Sequence, residues 1–333
     1  MERILFIGSH LSRQKGTKSA SETTVKLLQE NFIMKLSSKR TNLFLRFIDI
    51  IGNVLFWNYN IIHIDVYSGK ALIYAKISLK IAKFRKKKVI MNLHGGRLVE
   101  VYKKNPKTLL FIKKSDRIIS PSLFLTQFFN KNSFLVSTIP NFINSTNFPY
   151  QRKNYQKNSL LWIRAFDSIY QPLLAIRIVD KLKKKYPNIH LTMIGPDKGL
   201  QKKVEQYIKK LNLTNYISIK GKIENNKLYK YYHSHHIYLN TTKFESFGLS
   251  VLEAASSGIP IVSNNIGEIP YIWKDNEEIL LSNNEEEFIT NIMKIFSSTQ
   301  LEKKLSENAK KKAMTFSEKT IKEKWIKVIN ETI

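Results

Sequence analysis

The feature that most restricts this chain is an alternation. Short apolar runs, RILFIG (3–8), NIIHIDVYSG (60–69), KVIMNLHGG (88–96) and DRIISPS (116–122), are separated by stretches of helical period at about 22–31, 70–84 and from Leu123. Runs that are apolar at nearly every position read as strands covered on both faces. Strands alternating with helices in this way form βαβ units and a parallel sheet. The runs end at Gly8, Gly69, Gly95 and Ser122, so these positions are expected along one crevice, at the carboxyl edge where open parallel sheets bind ligands.

The alternation breaks and restarts. Residues 139–159, IPNFINSTNFPYQRKNYQKNS, are polar, carry two prolines and have no apolar period, which marks a linker. Beyond it, strands are expected at 159–164, 189–195, 216–221, 236–241 and 259–264, with helices at 171–186, 198–211 and 226–233. Residues from about 285 to 333 read as helical throughout. With 333 residues, two domains of ordinary size fit better than one.

There is no cysteine, so disulfides and thiolate metal sites are excluded and a reducing compartment fits. The N-terminal MERILFIGSH enters a strand whose apolar run is too short for a signal-peptide core, so a cytoplasmic protein is expected. Net charge is +29, with 55 Lys and Arg against 26 Asp and Glu. Residues 1–150 carry +18 of it and residues 151–333 the remaining +11. Such an excess suits a polyanionic partner: nucleic acid, an anionic membrane or phosphorylated substrates. Lys dominates over Arg and Ile and Asn are abundant, a composition that an AT-rich genome also imposes.

One segment carries the chemistry. FESFGLSVLEAASSGIP (244–260) follows the buried strand HIYLN and sets Glu245 and Glu253 eight positions apart. Its apolar spacing predicts a helix entered near Ser246 or Phe247 and stopped at Gly258. A helix start leaves N–H groups unpaired and partly positive. Those of Phe247, Gly248 and Leu249 are therefore candidates to receive a phosphate, with Gly248 permitting close approach. The two glutamates suit paired sugar hydroxyls, which donate to carboxylates.

The order strand, loop, E-S-F-G-L, seven-residue spacer, glutamate, small-Gly-x-Pro, strand resembles the signature of the retaining glycosyltransferases of family 4, the group 1 transferases with an E-x7-E motif. WIRAF, MIGPD, HIDVYSG, LHGG, SPS and IPN resemble other landmarks of that family. The resemblance implies a GT-B fold: two Rossmann-like domains facing across a cleft. Residues 1–150 would bind acceptor, 151–312 would bind donor, and a C-terminal helix, 313–333, would return to the first domain. It also implies roles. Glu245 would hold donor-sugar hydroxyls, Glu253 the ribose, and Arg164 the pyrophosphate, with Gly16 closing over the same group and His94 beside the donor sugar. The base would be read by backbone near Lys220–Ile223. The usual phosphate-binding lysine is missing, and Tyr170 or Gln171 stands in its place. His236 stands where an acid is usual. HSHH (233–236) reads as a helix-to-strand junction rather than a metal site. No D-x-D is present, so no metal is expected.

The function so implied is retaining, metal-independent transfer from a nucleotide-diphosphate sugar, with no other cofactor, to a sugar or lipid-linked acceptor in cell-envelope polysaccharide, lipopolysaccharide or glycolipid synthesis. A sugar-nucleotide epimerase of the same fold is the enzymatic alternative. A nucleic-acid-binding protein would need clustered Arg with exposed aromatics, whereas the Lys here is dispersed. One further element stands out. Residues 43–57, LFLRFIDIIGNVLFW, form an apolar helix with a narrow polar stripe at Asn42, Arg46, Asp49 and Asn53. The run is too short to span a bilayer, and basic residues flank it, so it is expected either in the core or docked peripherally on an anionic inner membrane face.

Overall fold

The computed structural model describes residues 1–8, 19–69, 71–152 and 154–333, and the chain falls into two compact units. The first comprises Met1–Asn141 and Glu318–Ile333, the second Phe142–Ser317.

In the first unit six strands form one sheet: β1 (Arg3–Ile7), β2 (Ile33–Ser37), β3 (Ile61–Val66), β4 (Lys88–Leu93), β5 (Arg117–Ser120) and β6 (Val136–Thr138). Their order is β2-β1-β3-β4-β5-β6, every pairing parallel. The second unit's sheet contains β7 (Gln156–Ile163), β8 (His190–Ile194), β9 (Ile217–Ile219), β10 (His235–Asn240), β11 (Ile261–Asn264) and β12 (Leu280–Ser282), in the order β12-β11-β10-β7-β8-β9, again all parallel. In each sheet the chain reverses its direction of travel once, between β1 and β3 in the first and between β7 and β10 in the second. Ligands of doubly wound sheets bind at that point.

Burial on both faces explains the unbroken apolar runs. In β7, Leu160 and Trp162 pack toward the helix Pro172–Leu182 and toward Phe288 and Ile292 of the helix Glu285–Ser297. The alternate residues Leu161 and Ile163 pack with Val251 and Leu252 of the helix Leu249–Ser257. Three of the four edge strands, β2, β6 and β12, were not expected from the apolar runs, whereas the fourth, β9, was. An edge strand has a neighbour on one side only, so its sequence carries a weaker apolar signal. The C-terminal region resolves into three helices, Glu285–Ser297, Thr299–Met314 and Glu318–Asn330. The last belongs to the first unit, where Trp325 meets the ring of His63 at 5.4 Å and Lys322 pairs with Glu30 at 2.8 Å.

Close backbone approach at the carboxyl edge of the second sheet depends on Gly195. The Arg164 N–H donates to the Ile194 carbonyl at 3.0 Å, and a Cβ on Gly195 would run into the Arg164 carbonyl. Gly195→Ala is therefore expected to destabilise by roughly 1–3 kcal/mol, the usual cost of overpacking. A urea midpoint equal to that of wild type would show that the two strand ends are not held this tightly.

Candidate active site

The switch point of the second sheet is occupied by a buried ion pair. Arg164 follows β7, and Glu245 lies in the loop after the neighbouring strand β10. The guanidinium Nη2 donates to Glu245 Oε2 at 2.5 Å, with each side chain 11% exposed. Arg164 Nε and Nη2 also donate to Oδ1 of Asn240, the last residue of β10, at 3.3 and 3.1 Å. Asn240 is in turn fixed by donating to Ser263 Oγ at 2.9 Å. Burial works against the guanidinium charge, but the Glu245 carboxylate more than offsets it, and the pKa is pushed up. The Arg164 Nη1 group makes no hydrogen bond among the described residues. The guanidinium lies 5.5 Å from the centre of the Tyr170 ring, so the residue that stands where a lysine was expected gives a cation–π contact. Gln171 beside it adopts a left-handed conformation, φ 48°, ahead of the helix Pro172–Leu182.

The Glu245 loop is held by its neighbours' backbone. The Glu268 N–H donates to the Glu245 carbonyl at 2.9 Å, and a Cβ on Gly267 (φ +60°) would collide with that carbonyl. The following helix begins at Leu249, two or three residues later than the spacing predicted, because Gly248 takes a left-handed conformation with φ +90° and caps it. Phe247 is buried with its ring 5.8 Å from Phe316. No hydrogen bond among the described residues engages the N–H groups of Phe247, Gly248 and Leu249, which stand at the positive end of that helix. Glu253, one turn into it, accepts from Asn225 Nδ2 and from the hydroxyl of the buried Tyr232, both at 3.1 Å. Burial raises its pKa above the ordinary carboxylate value, against the opposing pull of Asn225, Tyr232 and Arg164.

A cavity of about 700 Å³ is lined by Gln171, Thr242, Lys243, Asn264 and Asn283 among others. Asn264 Nδ2 holds the approach to the Glu245 loop by donating to the carbonyls of Thr241 and Thr242 at 3.0 and 2.7 Å.

The first unit has its own polar cluster at its switch point. Asp65, near the end of β3, is buried. It accepts from the Ser21 hydroxyl through Oδ2, and its Oδ1 lies 3.0 Å from His94 Nε2 and 3.8 Å from His63 Nδ1. Burial alone would raise the Asp65 pKa; His94, then His63 and Ser21, reverse that and hold it at about 2. The His94 ring stacks on Tyr67 at 4.9 Å. A Cβ on Gly8 would run into the Asp65 carboxylate, and Arg46 Nη2 donates to the Gly8 carbonyl at 2.8 Å.

Of the residues singled out from sequence, Arg164, Glu245, Glu253, Phe247, Gly248 and Leu249 thus lie together in the second unit, and His94 lies in the first. Gly16 lies outside the described residues. Asn240 and Asp65 were not singled out, although each is a polar residue at or near the carboxyl end of a buried strand, and that was the available signal. The HSHH residues form the junction between the helix Tyr229–Ser234 and β10. His233 meets the Pro149 carbonyl, His235 meets Thr192, and His236 meets Glu302, at 2.7, 2.8 and 3.3 Å.

The family model for glycosyl transferases group 1 matches residues 144–312. The chain is 28% identical over 154 residues to a subunit of the Homo sapiens phosphatidylinositol N-acetylglucosaminyltransferase, a match covering 45% of this chain and 31% of that protein. It is 27% identical over 128 residues to the alpha-monoglucosyldiacylglycerol synthase of Acholeplasma laidlawii, covering 38% and 31%. The matched stretches span about a third of those relatives' lengths. Among solved structures, the Anabaena HepE protein in complex with UDP and glucose aligns with a TM-score of 0.78 at 14% identity, over 99% of this chain and all of that one. That likeness shows the fold, the two-sheet GT-B architecture.

The depressed Asp65 pKa sets a stability window. A carboxyl held below its unfolded value contributes stability above about pH 4, and the contribution is lost as pH falls through the folded value near 2. Asp65→Asn is expected to cost about 2 kcal/mol at neutral pH and to flatten the acid limb of the unfolding profile. Some slope should remain from Glu302, whose carboxyl, pushed up by burial but held by His236, Tyr155 and Arg152, also sits near 2. An acid limb identical to that of wild type would show that Asp65 is not paired as described.

Proposed function

The chain belongs to the group 1 glycosyl transferases, and on that premise we propose that it is a retaining enzyme moving a sugar from a nucleoside-diphosphate sugar to a hydroxyl of a cell-envelope polysaccharide, lipopolysaccharide or glycolipid. The observation that carries this reading is the Arg164–Glu245 pair beside the open helix start at Phe247–Leu249. A diphosphate needs a cation fixed in place and N–H donors aimed at it. Arg164 supplies the first, with its Nη1 donors uncommitted, and the helix start supplies the second. Glu245 then accepts from donor-sugar hydroxyls and Glu253 from the ribose. Lys243, in the cavity beside Gln171, takes the part of the missing phosphate-binding lysine. His94, oriented by Asp65, keeps the role beside the donor sugar that the family resemblance implies.

In the transfer step the bond from the anomeric carbon to the diphosphate oxygen breaks as the acceptor oxygen attacks from the same face. The departing phosphate oxygen takes the acceptor's proton. Charge developing on the leaving group meets Arg164 and the helix N–H groups, fixed before the reaction begins, without a metal. Double displacement would need a carboxylate under the anomeric carbon. Glu245 is bound to Arg164 and Glu253 to Tyr232 and Asn225, which supports roles in holding hydroxyls over attack. The names of the human and Acholeplasma relatives both concern lipid-attached glycans, which supports a lipid-linked acceptor.

A thermal-shift panel of nucleotide sugars on the full chain identifies the donor, since a ligand at a hundredfold its Kd stabilises by about 2.7 kcal/mol. With that donor and chelator present, wild type is expected to yield product of retained anomeric configuration. Glu245→Ala should abolish transfer while keeping the fold. Glu253→Ala should raise the donor KM. An inverted product, activity restored only by added divalent metal, or wild-type turnover in Glu245→Ala would contradict the reading.

A further inference from the structure

The helix Leu43–Phe56 is turned inside out relative to a water-facing helix. Its polar stripe points inward: Arg46 donates to the Gly8 carbonyl, Asn53 Nδ2 to Ser37 Oγ at 3.2 Å, and Ser37 Oγ to Asp49 Oδ2 at 3.3 Å. Ile50 and Val54 are buried beside that stripe. The face left to solvent is apolar, with Phe44 70%, Ile48 51% and Phe56 84% exposed. An amphipathic helix on a protein in water presents the opposite arrangement.

The neighbouring helix Ala71–Phe84 adds further exposed apolar side chains. It packs on the first through Tyr74, whose ring lies 6.0 Å from Phe47. Outward it presents Ile73 and Phe84, the latter 88% exposed, with the exposed Lys76 and Lys80 spaced between them. A contiguous apolar patch rimmed by charge marks an interaction surface.

The charge decides what the partner is. Residues 66–99 contain no Asp or Glu and nine Lys or Arg. Between 31 and 64 the single acid is Asp49, which faces inward onto Ser37 and Asn53. Among the described residues Lys39, Arg40, Lys76 and Lys80 enter no ion pair, whereas Lys83 is taken up by Asp116. A second copy of this chain would bring cations against cations. An anionic lipid leaflet offers apolar depth for the aromatic and aliphatic side chains and negative charge for the lysines. No helix among the described residues is long and apolar enough to cross a membrane, so contact is in the interface plane.

We propose that the outward faces of Leu43–Phe56 and Ala71–Phe84 form a docking surface for anionic lipid bilayer, with Phe44, Ile48, Phe56, Ile73 and Phe84 entering the acyl boundary and Lys76 and Lys80 meeting headgroups. The inference goes beyond the transfer reading and does not rest on it, because lipid binding is measured with no sugar nucleotide present. The full chain is sedimented with vesicles of phosphatidylcholine alone or mixed with phosphatidylglycerol, at low and high salt. Binding to the mixed vesicles is expected, weakened by salt. Lys76→Glu with Lys80→Glu should reduce it about tenfold or more, and Phe44→Ser with Phe56→Ser by a similar factor even at low salt. All these side chains are exposed, so unchanged melting curves are expected for both variants. Negligible binding to the mixed vesicles, or wild-type binding by both variants, would overturn the proposal. So would self-association without lipid that is lost in the Phe44→Ser, Phe56→Ser variant, because the face would then belong to a second copy.

Discussion

The second unit is organised around one buried charge. Arg164 leaves the sheet at its switch point, where a guanidinium would be strongly unfavourable without a partner, and Glu245 supplies that partner from the next strand's loop. Much of the surrounding sequence serves to keep the two in register. Asn240 fixes the fork, Tyr170 covers one side of it, and Gly267 lets the backbone of the following turn lie against Glu245. A buried ion pair contributes little net stability compared with an apolar pair of the same volume. Its maintenance by so many neighbours therefore fits the binding role proposed for it better than a contribution to folding.

The two sheets use one topological rule for different chemistry. At the second switch point the groups are a cation and helix N–H donors, suited to an anion. At the first they are Asp65, His94, Ser21 and Tyr67, a network of hydrogen bonds and stacking around a carboxylate held ionised. Gly8 leaves the space that Asp65 occupies, much as Gly195 leaves the space beside Arg164.

Much of this was legible in the sequence, for physical reasons. Central strands such as β3, β4, β7 and β10 are buried on both faces and leave apolar runs, while three of the four edges, β2, β6 and β12, do not. The E-x7-E spacing located both glutamates, but the exact helix start was displaced because Gly248 caps it from a left-handed conformation. The pairing of Arg164 with Glu245 joins residues 81 positions apart and has no local signature. Asp65 sits inside the strand Ile61–Val66 beside His63, where polar residues among apolar ones do not reveal whether they are tolerated or needed. The stripe along Asn42, Arg46, Asp49 and Asn53 was visible as a stripe. Its direction became clear only from its bonds to Gly8 and Ser37.

The central claim is that Arg164 is the fixed cation for a diphosphate, with Glu245 serving the sugar rather than the nucleotide. Calorimetric titration of free nucleoside diphosphates into wild type, Arg164→Ala and Glu245→Gln tests it most directly. Loss of charge-assisted hydrogen bonds should weaken binding to Arg164→Ala by roughly ten- to a hundredfold. Glu245→Gln, which keeps a neutral partner beside the guanidinium, should bind at least as well as wild type. Undiminished affinity in Arg164→Ala, in a protein that still melts cooperatively, would contradict the account.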